Sequence, residues 1–252
     1  MIHDSCMNKL FLGKKALVIG GTGGIGRAVA LGLALRGAEL TVHGGSSEKR
    51  LETTLDAIKE TGGKGEGFLL AIDGPESAEE IFRRCPDPDM LVCAWGPFRR
   101  SPLELLDREF WQSMAMGNLV FPGLAVSLVL PGMLKKKWGR ILLFGGTNTD
   151  TIRGYLTSAA YSAAKTGLGV IAKSVAKSTV KSGMSRCVTC NVVCPGLTDT
   201  EYLNKEARSY NREKSPGFGP FRAEDIAGVC MNIMENPGIN GAIISIDGGI
   251  CL

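Results

Sequence analysis

Short apolar runs separated by longer stretches of helical periodicity recur along the whole chain, and that alternation limits the folds open to it. The runs are Ala16–Gly20, Glu39–His43, Gly67–Ile72, Met90–Ala94, Arg140–Phe144, Cys187–Val193 and Ala242–Ile246. Most are continuously apolar rather than alternating, which suits strands covered on both faces. Helix-length segments between strands allow parallel pairing, which a tight turn cannot make. The expectation is an α/β fold, a doubly wound seven-stranded parallel sheet with helices on both faces. At 252 residues it is read as one domain, 1–252, since a domain commonly takes about 100–200 residues.

The first run leads into the most informative motif. KALVIGGTGGIGRAVALGLALRGA passes from strand to helix through Gly20, Gly21, Gly23, Gly24 and Gly26. Such a turn brings backbone close to a pyrophosphate, whose charge meets the free N–H groups and dipole of the helix start. Its position after the first strand, opening an amphipathic helix, makes it a Rossmann-type dinucleotide turn rather than a bare glycine match.

Composition narrows the remaining classes. With 44% hydrophobic and 21% charged residues the chain is globular, so disorder drops out. A formal charge of +4, scattered along the sequence, gives no nucleic-acid footprint. The apolar stretch Leu119–Leu134 contains Pro122 and Pro131 and falls short of the roughly 20 residues of a membrane span. Asp4, Lys14 and Lys15 do not fit a secretory signal. A cytoplasmic protein with reduced cysteines is expected. Cys187, Cys190 and Cys194 lack a second Cys-x-x-Cys, and the histidines are His3 and His43, so no metal site is expected.

Further stations follow in order: Cys93-Ala94-Trp95-Gly96, Asn118, Tyr161-Ser-Ala-Ala-Lys165, the segment from Asn191 through Pro195, Gly196, Thr198 and Thr200, and Asp247-Gly248-Gly249. With the spacing Gly20-x-x-x-Gly24-x-Gly26, the chain resembles the short-chain dehydrogenase/reductase family over nearly its whole length, and within it the 3-oxoacyl-[acyl-carrier-protein] reductases. The resemblance implies hydride exchange between a nicotinamide cofactor and a carbonyl or secondary alcohol. Tyr161 would move the proton, Lys165 would hold the ribose and tune Tyr161, and Asn118 would hold a water in the proton relay. Cofactor contacts would come from Gly20, Thr22, Gly23, Gly24, Ile25, Gly26, Gly44, Ser46, Asp73, Ala94, Trp95, Gly96, Pro195, Gly196, Thr198 and Thr200, together with Tyr161 and Lys165.

Tyr161 and Lys165 are one helical turn apart and so share a face; a nearby cation is expected to draw the phenol below its ordinary value of about 10. The second strand ends in His43-Gly44-Gly45-Ser46-Ser47, without the carboxylate that would repel a 2′-phosphate. Lys49 and Arg50 follow, either as phosphate partners or as a solvated helix face. NADP is therefore expected, with NAD as the other candidate. Asp73 is read as an adenine contact or a helix cap, and Trp95 as a cofactor neighbour or core.

The sequence departs from the family pattern at the fifth strand, where Gly146 stands in place of a serine that would donate to the substrate oxygen. Thr147 is the favoured substitute, ahead of Asn148, because a hydroxyl both donates and accepts. Irregular segments at 145–157 and 198–222 are read as site loops, the second a lid carrying Tyr202, Tyr210, Phe218 and Phe221. With Trp95, Phe98, Arg99 and Arg100, the lid suits a carbonyl compound bearing an acidic group, free or carried on an acyl carrier protein. Lys135–Lys137 either dock that carrier or complement the helix dipole. The resemblance also implies a homotetramer. Two rival readings are a cofactor-binding regulatory or scaffold protein with lost catalysis, suggested by Gly146, and a sugar epimerase or dehydratase, disfavoured by length.

Overall fold

The computed structural model of the chain describes residues 9–203 and 219–249. Its main sheet contains β1 (Lys15–Ile19), β2 (Glu39–Gly44), β3 (Lys64–Leu69), β4 (Met90–Cys93), β5 (Gly139–Phe144) and β6 (Val188–Pro195). A small separate pair, β7 (Thr198–Asp199) and β8 (Phe221–Arg222), precedes the last strand of the main sheet, β9 (Ile243–Ile246). The seven main strands are all parallel and run in the order β3-β2-β1-β4-β5-β6-β9. This is the expected Rossmann-type arrangement. Its order reverses between β1 and β4, so a crevice opens beyond their carboxyl ends.

Residue alternation explains why the strands are apolar throughout. Ala16 and Val18 face one core with Leu40, Val42 and Val193, whereas Leu17 and Ile19 face the other with Leu91, Leu143 and Val192. Helices α1 (Gly24–Leu35), α2 (Glu48–Glu60) and, near the C-terminus, Ala223–Glu235 cover the first face. Helices α3 (Glu76–Arg84), α5 (Phe121–Lys136) and α6 (Ala159–Lys181) cover the second. Burial on both sides leaves little tolerance for a polar residue along β1 or β5. The buried Arg140 is accommodated by donating to the carbonyls of Met234, Gly139 and Cys187 at 2.9, 2.8 and 2.9 Å.

Two elements differ from the sequence expectation. β3 begins at Lys64, not Gly67, because it is an edge strand whose outer residues need not be apolar: Lys64 pairs with Glu39 and Gly67 with Val42. The run expected to stop at 119–134 extends much further. Helix α4 (Arg108–Ala115) continues through a π turn (Met116–Val120) into α5, giving 29 helical residues that are long and apolar enough to cross a membrane by length and composition. The inner side of α5 is committed to the core through Phe121, Ala125, Val126, Val129 and Met133.

His43, at the end of β2, is 1% exposed. Its Nε2 lies 2.9 Å from the Leu70 carbonyl, which fixes the proton on that nitrogen, and its buried Nδ1 has no partner among the described residues. Burial brings its pKa from 6.5 down to about 4, opposed in part by the Leu70 hydrogen bond. The unfolded chain therefore takes up a proton on falling through pH 6.5, while the folded chain resists until about 4. Stability present at neutral pH should be lost progressively across that window, by about 3 kcal/mol at about 1.4 kcal/mol per pKa unit. Urea denaturation at successive pH values should show this loss, and His43→Gln should flatten the profile between pH 6.5 and 4.

Candidate active site

The glycine turn joins β1 to α1 by an approach that side chains would block. Gly20 has φ +77°, and a Cβ there would lie 3.0 Å from the Trp95 backbone nitrogen. A Cβ on Gly26 would collide with the Gly20 carbonyl and lie 3.0 Å from the Ala94 Cβ. Ala94 N donates to the Ile19 carbonyl at 2.9 Å, locking β4 to the same turn. The first turn of α1 therefore presents its N–H groups toward the crevice. These groups suit an anionic phosphate, and an anion already sits there, since the Gly24 N–H donates to a Glu201 carboxylate oxygen at 3.2 Å. The residues present thus fit the dinucleotide that the turn implies.

On the far side of the crevice, α6 carries Tyr161 and Lys165 on one face. Lys165 is buried and donates from Nζ to the Phe144 carbonyl at the end of β5, 2.8 Å away. Its Nζ is 5.9 Å from the Tyr161 ring centroid. Asn118 lies in the π turn, a distortion often found at functional sites. It is fully buried, with Nδ2 donating to Pro97 O at 2.9 Å and Met114 O at 3.1 Å, while its buried Oδ1 has no donor among the described residues. Gly96 keeps the space between Asn118 and Lys165 open. A Cβ at this position would strike Asn118 Oδ1 and lie 3.1 Å from Lys165 Nζ.

Gly146 adjoins the phenol directly. A Cβ on Gly146 would lie 2.6 Å from the Tyr161 hydroxyl, so Tyr161 fills room that a side chain on the loop would need. Phe98 closes over Tyr161 edge to face, with centroids 4.8 Å apart. Thr147 is exposed, and its hydroxyl donates to the Pro195 carbonyl at 3.1 Å. The residue that organises this loop is Thr149, which the sequence reading missed. Its hydroxyl accepts from Gly146 N at 2.8 Å and lies 3.6 Å from Cys194 Sγ. A threonine in a polar loop gives no sequence signal that it will be buried.

Electrostatics here differ from the sequence expectation. Burial lifts the Tyr161 phenol well above its ordinary value, and the neighbouring Cys194 adds to the rise. Lys165 is lowered to about 8 by burial, opposed by Cys93 and Cys194. The ammonium does not draw the phenol down, because its hydrogen bond goes to Phe144 O and desolvation of the phenol prevails.

The remaining expected contacts fall into distinct groups. Thr22 packs against Gly44, where a Cβ would lie 2.5 Å from Thr22 Cγ2, and Ser46 is exposed nearby. The Asp73 carboxylate accepts from the Ser77 hydroxyl at 3.1 Å, while the N-cap of α3 is Pro75 without a side-chain cap, so Asp73 does not cap this helix. The Trp95 ring packs on Phe121, centroids 5.7 Å apart, so its backbone rather than its ring meets the glycine turn. Gly196 N donates to Ile246 O at 2.8 Å, and Thr198 donates to Gly196 O at 3.0 Å. Thr200 comes beside the start of α1, its Cγ2 3.4 Å from where a Gly24 Cβ would stand. Of the expected lid 198–222, residues 204–218, with Tyr210 and Phe218, lie outside the described residues. Lys136 is engaged by Asp89 at 2.8 Å and, with Lys135 in the last turn of α5, matches the helix-dipole role.

Residues 14–211 match the family model for short chain dehydrogenase. The chain is 33% identical over 247 residues to the 3-oxoacyl-[acyl-carrier-protein] reductase of Vibrio cholerae, covering 94% of this chain and 97% of that protein. It is 31% identical over 268 residues to D-beta-hydroxybutyrate dehydrogenase of Cupriavidus necator, covering 94% and 97%. A dehydrogenase/reductase structure from Sinorhizobium meliloti superposes with TM-score 0.82 at 26% identity, covering 98% of both chains.

The tight seat of Tyr161 gives a direct test. Gly146→Ala should lower stability by about 1–3 kcal/mol, the usual cost of overpacking, measured by urea denaturation. An unchanged midpoint would show that the phenol moves aside freely.

Proposed function

Because the chain belongs to the short-chain dehydrogenase family, we propose that it is an oxidoreductase interconverting a carbonyl and a secondary alcohol, with Tyr161 as acid–base group and NADP(H) as preferred cofactor. The observation that carries this reading is the placement of Tyr161 and Lys165 across the crevice from the glycine turn, with Asn118 buried behind them. When bound, the nicotinamide cofactor supplies or accepts the hydride.

The chain's own groups handle the proton. In the reductive direction the Tyr161 hydroxyl donates to the substrate oxygen as it becomes an alcohol. Lys165, anchored on Phe144 O, would orient the cofactor ribose, and Asn118 Oδ1, which has no donor among the described residues, would accept from a relay water. Thr147 is the candidate second donor, once its hydroxyl turns from Pro195 O toward the crevice. The backbone groups of Pro195 and Gly196 and the hydroxyls of Thr198 and Thr200 would complete the cofactor site.

The substrate mouth supports a carbonyl compound with an anionic group, such as a 3-oxoacyl thioester on its phosphate-bearing carrier. Phe98 packs on Tyr161, Arg100 stacks over Phe98 at 5.2 Å, and Arg99 stacks over Phe110 at 4.7 Å. The exposed apolar residues Leu128 on α5 and Val170 and Val180 on α6 favour assembly with further copies of the chain, here taken as a homotetramer.

The test follows NADPH and NADH oxidation optically with a 3-oxoacyl thioester and with simple diketones. Tyr161→Phe should lower turnover by about 10²–10⁴, the usual contribution of a positioned acid–base group, while leaving NADPH binding in place. Tight cofactor binding with no turnover by the wild-type protein would favour the regulatory or scaffold reading, which Gly146 and the enclosed phenol also suit.

A further inference from the structure

The anion at the start of α1 belongs to the chain itself. Glu201 follows β7 and reaches back over the glycine turn, where its carboxylate accepts from Gly24 N–H at 3.2 Å. It also stands against Gly23, where any Cβ would collide with a Glu201 carboxylate oxygen and lie 2.8 Å from the Tyr202 hydroxyl. The absence of a side chain at Gly23 therefore makes the room that this strap occupies. The next residue extends the contact to the adjacent loop, since Arg50 donates from Nη1 to the Tyr202 hydroxyl at 2.9 Å and lies over its ring at 5.2 Å. Arg50 is in the first turn of α2, just beyond the end of β2, where the cofactor's adenosine ribose would lie.

We propose that Glu201 is an internal competitor for the cofactor pyrophosphate, tethered through Tyr202 to Arg50, and that Arg50 selects for a 2′-phosphate by releasing this tether. The inference rests on the dinucleotide reading above. A carboxylate and a pyrophosphate cannot share the same N–H groups, and two anions at that spacing repel, so Glu201 must withdraw when a dinucleotide enters. A 2′-phosphate offers Arg50 a doubly charged partner stronger than a neutral phenol, and taking it frees Tyr202 and with it Glu201. A dinucleotide with an unmodified ribose gives Arg50 nothing in exchange and has to displace the strap while it is still tethered. Arg50 thus favours the phosphorylated cofactor by attracting it and disfavours the other by holding the strap in place.

Binding of NADPH and NADH to the full chain, titrated by nucleotide fluorescence, tests this without reliance on turnover. Glu201→Gln should tighten both nucleotides by about tenfold, since it removes the competing charge while keeping the side chain's size. Arg50→Gln should move the two in opposite directions, weakening NADPH and tightening NADH, a pattern that simple loss of a phosphate contact does not produce. Tyr202→Phe should tighten both. Thermal melts without nucleotide report whether each variant is folded, and all three positions lie outside the buried core. Unchanged or weaker binding in Glu201→Gln overturns the competitor, and weakening of both nucleotides in Arg50→Gln overturns the tether. Binding of neither nucleotide by any of the proteins overturns the cofactor reading itself.

Discussion

The contact of α1 with the ends of β1 and β4 holds the rest of the site in place. Gly26 lies against the Gly20 carbonyl, and Gly20 lies against the backbone of Trp95, at separations that exclude a Cβ. This closeness lets the helix start point its free N–H groups into the crevice where the strand order reverses. A larger residue at either position would push α1 away from Ala94 and Trp95 at the end of β4. The fold's anion site is thus a consequence of missing side chains at a crossing of backbones, not of any charged group.

A similar economy of space governs the opposite wall. The loop after β5 has no side chain at Gly146, and Tyr161 occupies the room. Thr149 then ties the loop's backbone to itself, and Phe98 closes the outer side. Enclosure has an electrostatic consequence, because a phenol and an ammonium taken out of water both move toward their neutral forms. Tyr161 is accordingly held in its protonated form, and Lys165 lies nearer neutrality than a surface lysine.

Binding and competition meet in the short segment after β6. Thr198, Thr200, Glu201 and Tyr202 lie within five residues, yet they touch Gly196, the start of α1 and Arg50 on α2. Movement of this segment would couple the two ends of a bound dinucleotide without any change in the sheet. The rigid parallel core supplies fixed walls, and the adjustable contacts are confined to its carboxyl edge.

Much of this was legible in the sequence. Continuous apolar runs such as Leu17 to Ile19 and Ile141 to Leu143 reveal a doubly covered parallel sheet, because each residue must find an apolar neighbour on one face or the other. Glycine spacing at 20, 24 and 26 and the one-turn spacing of Tyr161 and Lys165 are local, so helix and turn geometry fix their meaning. Other features depend on partners far along the chain. Thr149 is buried against Cys194 and Gly146, and the Asp73 carboxylate is held by the Ser77 hydroxyl. The phenol is raised because folding buries it and brings Cys194 near it. Glu201 could not be read as a phosphate mimic, since its neighbour Gly24 is 177 positions away. Periodicity and steric exclusion act through adjacent residues and are written in the sequence, whereas desolvation and charge pairing depend on what folding brings together.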